Sequence, residues 1–204
     1  MASTIFQKIL QDAIDNGQLF RADTKDERDE AREWLEEKTK KLSRKTTPNK
    51  ILGDKEQLRR RIQTGRLYFF KYDPKGKKTL PFYDTFPLTL PIETFSGGFL
   101  GLNFHYLPLN IRAKLMDALF TLQNNDDFDE TTRMIVTYKI LKSAIKFRSF
   151  RPALKKYLNK HVKSRFLRIE ANEWEVAIFL PVERFRKASK IEVWDDTRKQ
   201  LRRR

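Results

Sequence analysis

The stretch Leu67-Tyr68-Phe69-Phe70-Lys71-Tyr72, followed directly by Asp73-Pro74-Lys75-Gly76-Lys77, decides the class of fold. Aromatic residues suit a pleated, half-buried surface, and a turn rich in proline and glycine closes a strand instead of extending a helix. Further strand-like segments run through Phe82, Phe86, Leu88 and Ile92, and the flexible turn Ser96-Gly97-Gly98 introduces Phe99-Leu100-Gly101-Leu102-Asn103-Phe104-His105-Tyr106. Pro81, Pro87, Pro91 and Pro108 confine these strands to edges, bends or short pieces, because proline has no amide to give to a ladder. The reading is an α+β protein with a small antiparallel β-sheet or partial barrel, flanking helices and a helical N-terminal arm.

Toward the N-terminus, Ser3 is placed to cap a helix whose Ile5, Phe6, Ile9, Leu10, Ala13 and Ile14 share one face, with Gly17 as its stop. That face has two open destinations, its own domain or a neighbouring protein. Thr24 and Glu27 form a capping-box pattern ahead of a charge-dense segment with few apolar residues, which predicts an exposed, arm-like helix. Thr46-Thr47-Pro48-Asn49 reads as linker, and a short helix is expected from Asp54 to Thr64, ending at Gly65. Residues 1–50 are thus an arm and linker, and residues 51–204 the α+β domain. Arg59, Arg60 and Arg61 make a basic cluster of a kind that is ordinarily just solvated.

Toward the C-terminus, Ile111, Leu115, Ala118, Leu119 and Leu122 predict a helix, with Asn110 a candidate cap, and Asn124-Asn125-Asp126-Asp127 breaks it. Between Glu130 and Glu170 the chain contains no acidic residue. Met134, Tyr138, Leu141 and Ile145 recur there at helical spacing, with Lys139, Lys142 and Lys146 on a separate stripe. A second helix is expected to open at Arg151-Pro152, with Leu154, Tyr157 and Leu158 inward. Residues 165–169 and 174–180 read as a closing hairpin, and the chain ends in helix with an arginine tail.

Lysines and arginines held on folded structure neutralise successive phosphates and release counterions, which gives salt-sensitive, sequence-independent affinity. Lys139, Lys142, Lys146, Arg148, Arg151, Lys155, Lys156, Lys160, Lys163 and Arg165 are the expected DNA-backbone contacts. The competing reading gives this positive face to an acidic protein partner or to solubility. The whole chain leans the same way, with 43 Lys and Arg against 27 Asp and Glu and a net charge of +16 over 204 residues. A hydrophobic share of 39% with 16 Phe is enough for a real core, so this is no basic tail.

No cysteine is present, so neither disulfides nor thiolate metal sites exist. Neither a signal segment nor a membrane-length apolar run is visible, which predicts an untargeted soluble protein with no membrane partner. His105 and His161 are the only histidines and stand at no metal-ligand spacing, and a structural role is favoured for His105. Asp73, Asp84, Glu93 and Asp117 are too dispersed to predict a two-metal nuclease site, and turn hydrogen bonding suits Asp73 and Asp84 better. Gly97-Gly98 lacks the spacing of a phosphate-binding loop. No cofactor, small-molecule substrate or enzyme activity is expected. Tyr68, Phe69, Phe70, Tyr72, Phe82, Tyr83 and Phe86 have the composition of a base-stacking platform, but their alternation favours core packing.

Tyr72-Asp73-Pro74-Lys75, Leu80-Pro81-Phe82-Tyr83-Asp84-Thr85-Phe86-Pro87-Leu88 and Gly98-Phe99-Leu100-Gly101-Leu102-Asn103-Phe104-His105-Tyr106-Leu107-Pro108 carry a resemblance. It continues through Arg112, Leu115-Met116-Asp117-Ala118-Leu119, Tyr157-Leu158, Ser164-Arg165-Phe166 and Trp174-Glu175-Val176-Ala177-Ile178-Phe179-Leu180-Pro181. The sequence resembles the DNA end protector proteins of T-even-like contractile-tailed phages, particularly cyanophage members, from about Leu67 to the C-terminus and again in the first helix. The resemblance implies a minor virion protein that binds the ends of packaged double-stranded DNA and shields injected DNA from host RecBCD exonuclease. It also implies a part in completing heads for tail joining, with host cytoplasm and virion as locations and other virion proteins as partners. The alternative is a purely structural neck, head-vertex or baseplate component whose basic surface contacts protein.

Overall fold

The structure, a computed structural model, describes residues 4–42, 47–53, 57–123, 129–144 and 148–202. In chain order it comprises α1 (Ile5–Asp15), α2 (Lys25–Leu42), α3 (Pro48–Ile51), β1 (Leu58–Arg59), β2 (Leu67–Phe69), β3 (Tyr83–Asp84), β4 (Leu88–Phe95) and β5 (Gly98–Asn103). There follow α4 (Leu109–Gln123), α5 (Glu130–Ala144), β6 (Leu154–Leu158), β7 (Phe166–Ile169), α6 (Trp174–Phe179), β8 (Phe185–Arg186) and α7 (Lys190–Arg202). Six strands form one antiparallel sheet in the order β1-β7-β2-β4-β5-β6, and β3 pairs with β8 beside it. The expected α+β class and antiparallel sheet are present, and the sheet is open.

Alternation along the strands divides the apolar residues between two cores. Leu67, Phe69, Leu88, Leu90, Ile92, Leu102, Leu167 and Ile169 face the helices in the main core. Tyr68, Phe70, Tyr72, Phe99, Tyr157 and Phe166 form a second, aromatic cluster. The rings of Phe99 on β5 and Phe166 on β7 lie 6.1 Å apart. On a flat sheet three strand spacings would separate them by about 14 Å. The sheet is therefore curled, with this cluster on its concave side.

The 8-residue β4 tolerates Pro91 because the register shifts between Pro91 and Glu93, a bulge at which a missing amide costs no ladder bond. The β4–β5 hairpin turns at Ser96 and Gly97, as the sequence predicts, with Gly97 at φ +83°.

Thr4 caps α1 in a reciprocal box with Gln7, while Ser3 lies outside the described residues. Phe6, Ile9 and Ala13 are buried in the main core, and the Thr4 hydroxyl donates to Glu173 at 2.7 Å. Of the two destinations for the helix, its own domain is the one occupied. The exposed arm expected for α2 is also corrected. Ala31 and Leu35 are fully buried, Arg28 donates to Asp117 at 3.1 Å, and Arg32 donates to Asp117 at 2.9 Å and to Glu175 at 3.0 Å. Burial opposes the Arg32 charge, but Glu175 and Asp117 outweigh it and hold the guanidinium above its ordinary pKa. Sequence composition hid this because two of the charged residues face inward.

Three further expectations fail. Residues 57–64 are not helical, because Leu58 and Arg59 pair with Leu167 and Phe166, and a partner more than a hundred residues away decides their conformation. Residues 151–158 hold the end of a 3-10 turn at Arg148–Ala153 and then the edge strand β6, so the second basic helix does not exist. Residues 174–179 form α6, not a hairpin strand. Trp174 to Ile178 are all buried, and continuous burial erases the period that tells helix from strand.

Two variants test this architecture by denaturant unfolding. A Cβ at Gly98 would lie 2.2 Å from the Tyr157 carbonyl oxygen, so Gly98→Ala is expected to destabilise by about 1–3 kcal/mol as β5 and β6 are forced apart. Arg32→Ala leaves Glu175 buried and unpaired and is expected to cost about 3–5 kcal/mol, whereas an unchanged midpoint would mean that α2 is not docked.

Candidate nucleic-acid interface

Several of the basic residues serve the fold. Arg112 is 1% exposed and donates to the carbonyls of Leu107 at 2.7 Å, Ile178 at 2.6 Å and His105 at 3.2 Å, with its guanidinium 5.3 Å from the Trp194 ring centre. Burial pushes its pKa down to about 10 against the pull of Glu183 and Asp84. Lys38 pairs with Asp12, Lys77 with Asp73, Lys190 with Glu183, and Arg168 with Glu170. The charge available to a polyanion is what remains.

A part of that remainder lies around one cleft. Because β1 pairs with β7, residues 58–62 come up against residues 159–167, and Arg60, Arg61, Ile62, Asn159, Val162, Ser164 and Phe166 line a cleft of about 330 Å³. The second segment is pinned by its backbone. Asn159 N–H donates to Gly97 O at 2.9 Å, Lys163 N–H to Lys71 O at 2.8 Å, and Val162 bridges Tyr72, while Lys71 N–H donates to the Ser164 hydroxyl at 2.9 Å. Arg60, Arg61, Lys71, Lys160, Lys163 and Arg165 are all exposed, and none pairs with a carboxylate among the described residues. Burial raises the Tyr68 phenol above its ordinary pKa, against the opposing pull of the Gln63 amide and of Arg168, Arg66 and Arg59.

The sequence-predicted contacts therefore divide. Arg60 and Arg61, which line the cleft, were not among them, whereas Lys160, Lys163 and Arg165 are exposed on the segment that supplies its other wall and alternate with the lining residues. Lys139 and Lys142 are exposed on α5, with Lys142 5.7 Å from the ring centre of Tyr138. Tyr138 packs α5 against β4 and the chain before β2: its hydroxyl donates to Ile92 O at 2.8 Å, and a Cβ on Gly65 would lie 3.4 Å from its own. Arg151 is exposed in the 3-10 turn, which Arg148 opens. Lys146 lies outside the described residues. Lys155 and Lys156 alternate across β6, so they do not share one outward face as a helix would have allowed. Lys155 turns instead onto Tyr106, its ammonium 4.0 Å from the ring centre. Arg59 to Arg61 were visible as a cluster in the sequence, but nothing local signals which partner they meet.

The candidate carboxylates do not converge. Asp73 holds Lys77, Asp117 holds Arg28 and Arg32, and Glu93 is exposed at the β4 bulge. Asp84 accepts the Phe86 amide at 3.0 Å, the turn bond the sequence suggested, and accepts from His105 Nδ1 at 2.7 Å. Burial alone would raise the Asp84 carboxyl, yet His105, the Phe86 amide and Asn103 hold it below the usual carboxylate range. His105 is wholly buried and fixes this turn to the core, as a structural histidine does. Among the described residues no group of three or more His, Asp or Glu could hold a metal ion. Of the aromatic platform, Tyr68, Phe69, Phe70 and Tyr72 are buried in the core, whereas Phe82, Tyr83 and Phe86 are only half-buried. Among the same residues, no helix is long and apolar enough to cross a membrane.

The chain belongs to the family of phage T4 terminal DNA protecting proteins, whose family model matches residues 11–197. No curated protein and no solved structure matches it. The matched region includes both segments of the basic cleft and the α5 lysines.

The combined variant Arg60→Gln, Arg61→Gln, Lys163→Gln, Arg165→Gln is expected to bind duplex DNA more weakly irrespective of sequence. The slope of log affinity against log salt should flatten by about 0.9 for each phosphate contact removed. Filter binding across a salt series reads both. A native slope in this variant, with a reduced slope on replacing Lys139 and Lys142, would move the interface to α5.

Proposed function

We propose that this protein binds the ends of linear double-stranded DNA and protects them by occupancy, without chemistry. The observation that carries the reading is the cleft where Arg60 and Arg61 meet the segment 159–166, whose Lys160, Lys163 and Arg165 are exposed beside it, within a chain whose family protects DNA termini. A duplex end docked there has its terminal phosphates neutralised by side chains that folding has already placed, which favours slow release. A nuclease that must load on a free end then finds none. The established family role supports a phage setting. The finer assignment is a virion component that travels with the packaged genome, shields it from host exonuclease such as RecBCD after injection, and contributes to head completion beside other virion proteins.

Occupancy fits the separation of the carboxylates, each of which is held by its own cation or lies apart. It also fits a surface that reads no base edges: lysine and arginine against phosphate give strength and register without sequence. With α1 and α2 docked on the main core, neither projects as a hook for a neighbouring subunit.

Exonuclease digestion of linear duplex, with and without purified protein and with closed circular DNA as competitor, tests this. Linear DNA should survive, and circles should compete poorly. Equal competition by circles would reduce the protein to a general backbone binder, and no binding near physiological salt would assign the basic surface to a protein partner.

A further inference from the structure

Phosphate contacts alone cannot tell an end from the middle of a duplex, because both offer the same backbone. Discrimination needs a feature that only an end has, and one such feature is a nucleotide stacked on one side only. Extruding an interior nucleotide costs a few kcal/mol, and the cost is least where the base is already unpaired. A site that accepts one extruded nucleotide would therefore select ends.

The structure contains a concavity of suitable size and chemistry. It has a volume of about 450 Å³ and lies between the edge strand β6 and residues 72–84. Binding sites for small organic groups span roughly 300–1,000 Å³. Its wall includes the half-buried rings of Phe82 and Tyr83 and the ring of Tyr106. Lys75 is exposed at its margin and Lys155 lies half-buried within it, and neither pairs with a carboxylate among the described residues. Asp84 also lines the wall, but its charge is already engaged by His105, Asn103 and the Phe86 amide. Aromatic walls with unpaired cations match a base and its phosphate.

The position of Lys155 adds to this. Alternation puts it on the same side of β6 as Tyr157, whose hydroxyl accepts from Asn103 at 3.0 Å, so the ammonium is drawn inward to the Tyr106 ring and away from water. Burial pushes its pKa down to about 8, against a weaker upward pull from Asp196. An amine in that condition gains more from an incoming phosphate than a fully hydrated surface lysine does, because it has already lost much of its water.

We infer that this cavity takes the unstacked terminal nucleotide of a DNA strand, with Tyr83 and Phe82 against the base and Lys155 and Lys75 on the phosphate. The inference rests on the end-binding reading above and adds the means by which an end is distinguished.

The test compares affinity of the full-length protein for a linear duplex with open ends and for a covalently closed circular duplex of the same sequence, which offers no unpaired nucleotide. Native protein is set beside Tyr83→Ala, Lys75→Gln and Lys155→Gln, each checked for native melting. Native protein should prefer the open duplex by roughly tenfold or more, since stacking of one base is worth about 1–3 kcal/mol. Tyr83→Ala should lose most of that preference while keeping its affinity for the closed duplex, and Lys75→Gln and Lys155→Gln should narrow it. If the variants keep the native preference, or lose affinity for both substrates alike, the cavity is not the end-reading site although end binding stands. Native protein that binds both duplexes equally would overturn end binding and the cavity together. Should Tyr83→Ala or Lys155→Gln not fold, Lys75→Gln at the exposed margin decides.

Discussion

Phe70 is completely buried, and its ring meets Tyr157 at 5.4 Å, Phe166 at 5.0 Å, Phe99 at 6.0 Å and Tyr72 at 6.3 Å, side chains contributed from across the sheet. Edge-to-face contacts of this kind add to the large area each ring removes from water. They are satisfied together only if the sheet closes around them. Curling brings β6 and its following turn back toward the end of β2, where Val162 bridges Tyr72 and Asp73 N–H donates to His161 O at 3.0 Å. The chain then enters β7 beside β1. Both the basic cleft and the β6-edge cavity are consequences of that path.

The same fold sorts charge by environment. A guanidinium taken out of water must be repaid with carboxylates or carbonyls, and Arg28, Arg32 and Arg112 each have them. These three bind α2, α4, α6 and α7 into one body, so a part of the positive charge is architectural. Exposed cations recur along residues 59–71 and 160–165, where mutual repulsion works against the compact state. A surface that keeps such an arrangement gains from a polyanion in proportion to the repulsion relieved, and DNA ends, the family's concern, supply one.

Legibility in the sequence followed the range of the interactions that fix each element. The Phe95–Gly98 turn, α1 with its apolar face, and the helical periods of α4 and α5 are local, and all were readable. The α2 helix was readable from Thr24 and Glu27, but its docking was not, because the buried ends of Arg28 and Arg32 look in sequence like any solvated charge. Residues 57–64 and 154–158 take strand geometry from partners far along the chain, and no local pattern reports them. The acid-free interval was visible as a source of positive charge. Its division into α5, an edge strand and the cleft was not, since Leu154, Tyr157 and Leu158 fit an amphipathic helix nearly as well as a strand. Arg60 and Arg61 meet Asn159, Val162 and Ser164 only through the β1–β7 pairing.

Amide hydrogen exchange of the full-length protein, with and without open-ended linear duplex, tests most directly whether the two segments act as one DNA surface. Residues 57–66 and 159–166 should slow together on binding, while α1 and α2 stay unchanged. Protection of α1 and α2, or of one segment without the other, would contradict a single cleft assembled by the curl of the sheet.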